Sequence, residues 1–204
     1  KSKIGYESQE ALELADKVGE YMSYYCIQSS MNLAKEKGKC KKNRYDDGEF
    51  PIDKANKNAL KLTTRGFELD WETLRTSIKE NGVRNSTLLS IMPAESSSVI
   101  QNSTNGIEPI RSLLAFKESK KGILKQLAPN LKRYGKHYTL AWDIKDNTCL
   151  TNISAVLQKW IDMGISTNHY YNYAHHEGGN IPLSRIIKDM IYAYKVGVKT
   201  LYYA

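Results

Sequence analysis

Three consecutive hydroxyls follow a proline in Met92-Pro93-Ala94-Glu95-Ser96-Ser97-Ser98. The run Thr87 to Met92 is apolar enough for a buried strand, and a short helix starting under the serines would leave N–H groups free to hold an anion. Each hydrogen bond to a charged group contributes about 1.5–3 kcal/mol, so a few would retain a diphosphate. The same residues also read as a Ser-rich turn and helix cap, and the carboxylate of Glu95 would repel a phosphate. A second candidate is Tyr202-Tyr203, a phenol pair closing an apolar run. In a chain with fourteen tyrosines, such a pair ordinarily packs a core and its rim. His175-His176-Glu177 offers two imidazoles and a carboxylate, but adjacent histidines seldom converge on one ion, and Gly178 and Gly179 make the stretch a loop. No metal is assigned. Cys26, Cys40 and Cys149 are odd in number and widely spaced, which fits neither a disulfide framework nor a CxxC motif.

Positioning such groups takes regular elements, and these recur along the chain. Leu14, Val18, Tyr21, Met22 and Tyr25 fall at helical spacing, predicting a long first helix with one buried face that stops near Gly38. Lys39 to Gly66 has no clear period and reads as a connecting excursion. Asp70 then caps a helix with the stripe Trp71, Leu74 and Ile78, Gly82 ends it, and Thr87 to Met92 follows as a strand. A second unit has the stripe Ile153, Val156, Leu157, Trp160 and Ile161 from Asn152 onward, ends at Gly164, and continues into a strand over 165–171. The third places Pro182 in a first turn, carries Leu183, Ile186, Ile187, Met190, Ile191 and Tyr194 as its stripe, ends at Gly197, and leads into a strand over 198–203. Between the first two units, Ser112 to Phe116 and Ile123 to Leu127 flank Lys120, Lys121 and Gly122 as a hairpin. Three helix, glycine, strand units predict an α/β fold with helices outside a largely parallel sheet or barrel, and an inserted β-hairpin. Ligands in such folds collect at the C-terminal strand ends, which is where Pro93 to Ser98 would sit, with the amides of Ser96 and Ser97 facing a concavity.

With 204 residues, the chain reads as one domain or a large piece of one, residues 1–204. Its apolar fraction of 41% and charged fraction of 25% are ordinary globular values and exclude disorder or a fibrous repeat. No apolar run approaches the roughly 18 residues of a membrane span, and Lys1 to Glu7 has no signal core, so a cytoplasmic setting is expected. The net charge of +8 admits a nucleic acid, an acidic partner or an anionic substrate. Much of the excess lies in runs such as Lys35 to Arg44, Lys117 to Lys125 and Lys132 to Lys136, which read as solvated faces and loops, and no nucleic-acid motif accompanies them. Neither Lys1 nor Ala204 looks like a natural terminus, so a piece of a longer protein is expected.

Arg84-Asn85-Ser86-Thr87, the Met92 to Ser98 motif and Asn105-Gly106-Ile107-Glu108-Pro109, in this order and spacing, closely resemble the large subunit of class I ribonucleoside-diphosphate reductases. The resemblance extends through Pro51-Ile52-Asp53, Asp70-Trp71-Glu72 and the run Lys195 to Tyr203, and so covers nearly the whole chain. It implies the later strands and helices of a ten-stranded α/β barrel. It implies that Glu95, Ser96 and Ser97 contact the substrate's phosphates, with Ser98 adjacent. The family commonly has serine and threonine where this chain has Ala94 and Ser96, so one hydroxyl is lost and one kept. It further implies that Tyr202 and Tyr203 relay an oxidising equivalent by coupled proton and electron transfer. Neighbours on a strand point to opposite faces, so stacking these rings requires a local departure from ordinary geometry.

The family's thiyl-forming cysteine, its reducing pair, its asparagine and glutamate neighbours and its nucleotide regulatory regions are expected in segments before Lys1, and its shuttle cysteines after Ala204. Cys26, Cys40 and Cys149 match none of those contexts. No cofactor is expected on this chain, the radical coming from a metal-containing small subunit. The expected partners are the remainder of the large subunit, the small subunit, a second large subunit in a dimer, and a ribonucleoside diphosphate, in the cytoplasm (the host's, if the source is viral). Two readings from other classes compete: a noncatalytic assembly module, such as half of a split large subunit, and a basic nucleic-acid-binding domain.

Overall fold

The computed structural model of the chain describes residues 3–45, 47–119 and 122–203, with the backbone alone at 117–119 and 203. In chain order the elements are α1 (Gln9–Lys37), α2 (Trp71–Asn81), α3 (Glu95–Ile100), β1 (Leu114–Ser119), β2 (Gly122–Leu127), α4 (Leu131–Tyr134), α5 (Thr148–Gln158), β3 (Thr167–Asn168), α6 (Leu183–Lys195) and β4 (Leu201–Tyr203), joined by loops and 3-10 turns.

The first helix, α1, begins where the Ser8 hydroxyl accepts the Ala11 amide and stops at Gly38, whose φ of 79° suits a residue without a Cβ. Its span matches the sequence reading, but its buried face does not. Leu14, Val18, Met22 and Tyr25 are 42–54% exposed, while Leu12, Asp16, Gly19, Glu20, Ser23, Tyr24, Ile27, Ser30, Met31 and Ala34 face the body. This second stripe has the same helical period, and it wins because its polar members are satisfied. Asp16 accepts from Trp160 Nε1 at 2.6 Å and Thr63 Oγ1 at 2.8 Å and pairs with Lys159 at 2.8 Å. Glu20, fully buried, accepts from Trp71 Nε1 and from the amides of Glu68 and Leu69. Buried carboxylates are tolerated only when paired in this way. Gly19 admits the Trp160 ring against the helix backbone, where a Cβ would meet Cδ1 at 2.4 Å.

Trp160 and Trp71 stack at 5.6 Å, and Phe50 and Tyr24 close on Trp71 at 5.0 and 5.3 Å. The excursion after α1 therefore supplies core as well as connection, since Tyr45, Phe50 and Ile52 are buried within it. In α2, Asp70 accepts the Thr73 amide and Gly82 closes the end with φ 68°, burying Trp71, Leu74 and Ile78 as expected. The stripe predicted for α5 is buried throughout. That helix starts four residues before Asn152, however, and stops at Gln158 rather than running to Gly164. There the Gln158 side chain donates to the carbonyls of Ile161 and Met163 and folds the chain into a turn.

The strands are shorter than expected. Of Thr87 to Met92, only Ile91 pairs, in a parallel bridge with Ile165. The amides of Leu88 and Leu89 are instead taken by the carboxylate of Asp162, at 2.9 and 3.2 Å. The 165–171 stretch contributes only β3, which pairs in parallel with β4 across a register irregularity between Thr167 and Asn168. Three chain stretches thus run side by side in parallel, each after a helix, in line with the α/β reading. Among the described residues, the sheets are two-stranded and no barrel closes. The hairpin is present, β1 pairing antiparallel with β2 from Leu114↔Leu127 to Ser119↔Gly122, while Lys120 and Lys121 lie outside the described residues.

The span of α6 also agrees, Pro182 sitting at its N-cap rather than in its first turn and Gly197 following its end with φ 84°. Its apolar stripe is not buried. Leu183, Ile187, Met190, Ile191 and Tyr194 are 46–84% exposed, and Asp189 and Ala193 face inward. Asp189 fixes that orientation by accepting from Asn147 Nδ2 at 3.0 Å, Tyr171 Oη at 3.2 Å and Arg185 Nε.

Candidate functional site

The chain leaves the Ile91 bridge through Pro93 and turns into α3 at Glu95, whose φ of 44° is left-handed, a costly conformation for a residue with a Cβ. Ala94 holds the N-cap position and has no side chain to cap with. The turn is held from ten residues on: the Ala94 amide donates to the Asn105 carbonyl, and the Glu95 amide to Asn105 Oδ1, both at 2.6 Å. Ser97 N donates to Ala94 O at 2.9 Å, and the buried Ser98 hydroxyl to Glu95 O at 2.6 Å.

Beside this turn lies a cavity of about 420 Å³, bounded by Pro93, Glu95 and Ser98 on one side and by Asn105 to Pro109 on another. Ser166, Asn168 and Tyr170, in and flanking β3, form a further wall, and Ala115 and Gln126 to Pro129 of the hairpin region line the cavity too. The predicted phosphate residues therefore divide. Glu95 and Ser98 line the cavity, whereas Ser96 and Ser97 are exposed beside it, and the Ser97 amide is turned to Ala94 O rather than to the concavity.

Sequence reasoning assigned no role to the opposite wall. Glu108 Oε1 accepts from the Asn168 amide at 2.8 Å and from Asn168 Nδ2 at 3.0 Å, tying the 105–109 segment to β3. Burial pushes the Glu108 carboxyl above its ordinary value, against the Asn168 hydrogen bonds and the Arg111 charge, which pull it down. Asn168 Oδ1 is buried without a hydrogen-bond partner among the described residues. The Arg111 guanidinium lies 5.8 Å from the centroid of the Tyr170 ring, and the Tyr6 hydroxyl donates to Ile107 O. The sequence signal for this wall is Asn105 to Pro109 itself, together with the C-terminal end of the strand expected over 165–171.

Tyr202 lies on β4, 57% exposed, and the backbone of Tyr203 pairs with Asn168. The register is irregular at that point, between Thr167 and Asn168. The Tyr203 ring, and with it the expected contact between the two rings, lies outside the described residues. His175 ends one 3-10 turn and His176, extended, links it to the next, and among the described residues no three His, Cys, Asp or Glu side chains group as metal ligands. The three cysteines are free and partly buried, and burial pushes the Cys149 thiol up to about 11, away from thiolate chemistry. Among the described residues no helix is long and apolar enough to cross a membrane.

Residues 1–136 and 132–204 match the ribonucleotide reductase barrel domain. The chain belongs to that family. It is 42% identical over 206 residues to the ribonucleoside-diphosphate reductase subunit alpha of Buchnera aphidicola from Acyrthosiphon pisum, a match covering 100% of this chain and 27% of that protein. It is 41% identical to the subunit 1 alpha protein of Escherichia coli over 201 residues, 97% of this chain and 26% of the relative. The alpha subunit of Enterobacteria phage T4 is 38% identical over 200 residues, 96% of this chain and 26% of its own length. The chain thus spans about a quarter of the length of the curated relatives it matches.

Proposed function

We propose that this chain is the part of a ribonucleoside-diphosphate reductase large subunit that holds the substrate's phosphates at Glu95 to Ser98 and relays the radical through Tyr202 and Tyr203. The observation that carries the reading is the Pro93 to Ser98 turn opening beside a cavity, in a chain that matches the reductase barrel domain from end to end. The hydroxyls of Ser96 and Ser97, exposed at the rim, donate to phosphate oxygens, and the net charge of +8 favours approach of the anion. Glu95 lines the cavity beside them, and its amide stays with Asn105.

The reaction exchanges the ribose 2′-hydroxyl for hydrogen, releasing water and turning a dithiol into a disulfide. A metal-containing small subunit supplies the oxidising equivalent. Tyr202 and Tyr203 pass it on because a phenol gives up an electron and a proton together and regains both. Cys26, Cys40 and Cys149 take no part, so the remainder of the large subunit contributes the thiols. The exposed apolar stripes of α1 and α6 support such a partner, since together they present Leu14, Val18, Met22, Ile187, Met190 and Ile191 to solvent.

The test is turnover in a reconstituted mixture of this chain, the remainder of a large subunit, small subunit and dithiol. Deoxynucleotide formation is expected only when the remainder is present, and appreciable product from this chain and the small subunit alone would overturn the reading. Within the active mixture, Tyr202→Phe and Tyr203→Phe keep folding and substrate binding but lose turnover. Near-normal rates in both would refute the relay.

A further inference from the structure

We propose that Asn105 is a positioning residue that sets the shape of the phosphate turn by capping α3 from outside the helix, an inference resting on the phosphate reading above.

A helix start leaves its first amides without partners, and a Ser, Thr, Asp or Asn at the N-cap ordinarily satisfies one of them. Ala94 cannot. The Asn105 amide oxygen takes over, accepting Glu95 N at 2.6 Å, while its backbone carbonyl accepts Ala94 N at the same distance. Two successive amides are thereby fixed by one residue. They flank Ala94, immediately before the N–Cα bond whose rotation gives Glu95 its φ of 44°. The carbonyl of Glu95 is held in turn by the buried Ser98 hydroxyl at 2.6 Å, so both faces of the left-handed residue are anchored.

Asn105 is itself secured through its own segment. Three residues on, Glu108 is bound by the amide and side chain of Asn168 on β3. The turn is therefore referenced to the strand that forms the opposite cavity wall, and the distance across the cavity is set by the 105–108 segment. Without the Asn105 oxygen, the amide of the exposed Glu95 is left to water and the residue relaxes towards the right-handed region that residues with a Cβ prefer. That swings the Ser96 and Ser97 hydroxyls away from the place where they converge on an anion.

The test compares the full chain with Asn105→Ala and Asn105→Asp by amide hydrogen exchange, by thermal unfolding, and by NMR titration with inorganic pyrophosphate. In the Ala variant, exchange at Glu95 should rise at least about tenfold and pyrophosphate affinity at Ser96 to Ser98 should fall several-fold, with little change in unfolding midpoint. The Asp variant keeps the oxygen and should retain slow exchange at Glu95. Unchanged exchange in Asn105→Ala overturns the cap. Faster exchange with undiminished pyrophosphate affinity overturns the positioning role. A wild-type chain whose Ser96 to Ser98 amides ignore pyrophosphate, with exchange at Glu95 still dependent on Asn105, refutes the phosphate reading and leaves the cap standing.

Discussion

Asp162→Ala should be among the most destabilising single changes in the chain, because one carboxylate joins three segments, of which only 88–91 and 162–166 also share backbone pairing. Its oxygens accept the Tyr45 hydroxyl at 2.6 and 2.7 Å, and Oδ2 also accepts the amides of Leu88 and Leu89. Asp162 is 6% exposed and Tyr45 1%, so the phenol has no water to turn to. Burial and then Asp162 push the Tyr45 phenol well above its ordinary value, so its proton stays on to be donated at any working pH. An orphaned buried hydroxyl costs about 1–3 kcal/mol, and hydrogen bonds to a charge contribute about 1.5–3 kcal/mol each, but the half-buried Leu88 and Leu89 amides regain water in part. The expected loss is about 3–4 kcal/mol, within the range for breaking a buried charged contact. For a chain of this size that lowers the unfolding midpoint by roughly 6–16 °C. Tyr45→Phe keeps the ring volume and leaves the carboxylate with two amides, so its cost should be nearer 1–2 kcal/mol. Urea denaturation followed by circular dichroism measures both. If Asp162→Ala lies within about 0.5 kcal/mol of wild type, as an ordinary surface change would, or if Tyr45→Phe costs as much, the account of Asp162 as the junction is wrong.

Gly19→Ala should cost about 1–3 kcal/mol, because its Cβ would meet Trp160 Cδ1 at 2.4 Å and the ring is buried. Gly5→Ala, with nothing within 4 Å, is the control, and equal urea midpoints for the two would refute the close-approach argument. Burial holds the His169 imidazole below its ordinary value of 6.5, with Asp189 opposing that shift and Arg185 adding to it, and Thr151 Oγ1 sits 3.1 Å from Nε2. The unfolded chain then binds the proton first as pH falls, so this contribution to stability is complete above 6.5 and is lost as pH drops through the folded value. His169→Gln should flatten stability against pH in that window, and an unchanged slope would exclude His169 as the group responsible.

Hydrophobic period located the helices because it depends only on spacing, and α1, α2, α5 and α6 all fall close to where the sequence puts them. It does not say which face is covered. On α1, the stripe of Leu14, Val18, Met22 and Tyr25 lost to one built on Asp16, Gly19 and Glu20, because buried carboxylates with complete partners and a glycine that admits Trp160 are invisible to a hydropathy count. On α6, Asp189 turned the helix in the same way. The strands were overestimated for a related reason, since the Leu88 and Leu89 amides went to a side chain 73 to 74 residues away, which no local pattern records. In the candidate site, Pro93 to Ser98 was legible as a proline stop followed by hydroxyls. Its capping by Asn105 was not, because nothing in the spacing shows that an asparagine ten residues on supplies what Ala94 lacks.

The phosphate turn is tested most directly by titrating the isotopically labelled chain with adenosine diphosphate and, separately, with adenosine, following backbone amide shifts. The account predicts that the diphosphate moves the amides of Ser96, Ser97, Ser98 and Asn105 and that adenosine leaves them in place. Equal responses to the two ligands, or shifts confined to another part of the chain, would contradict it.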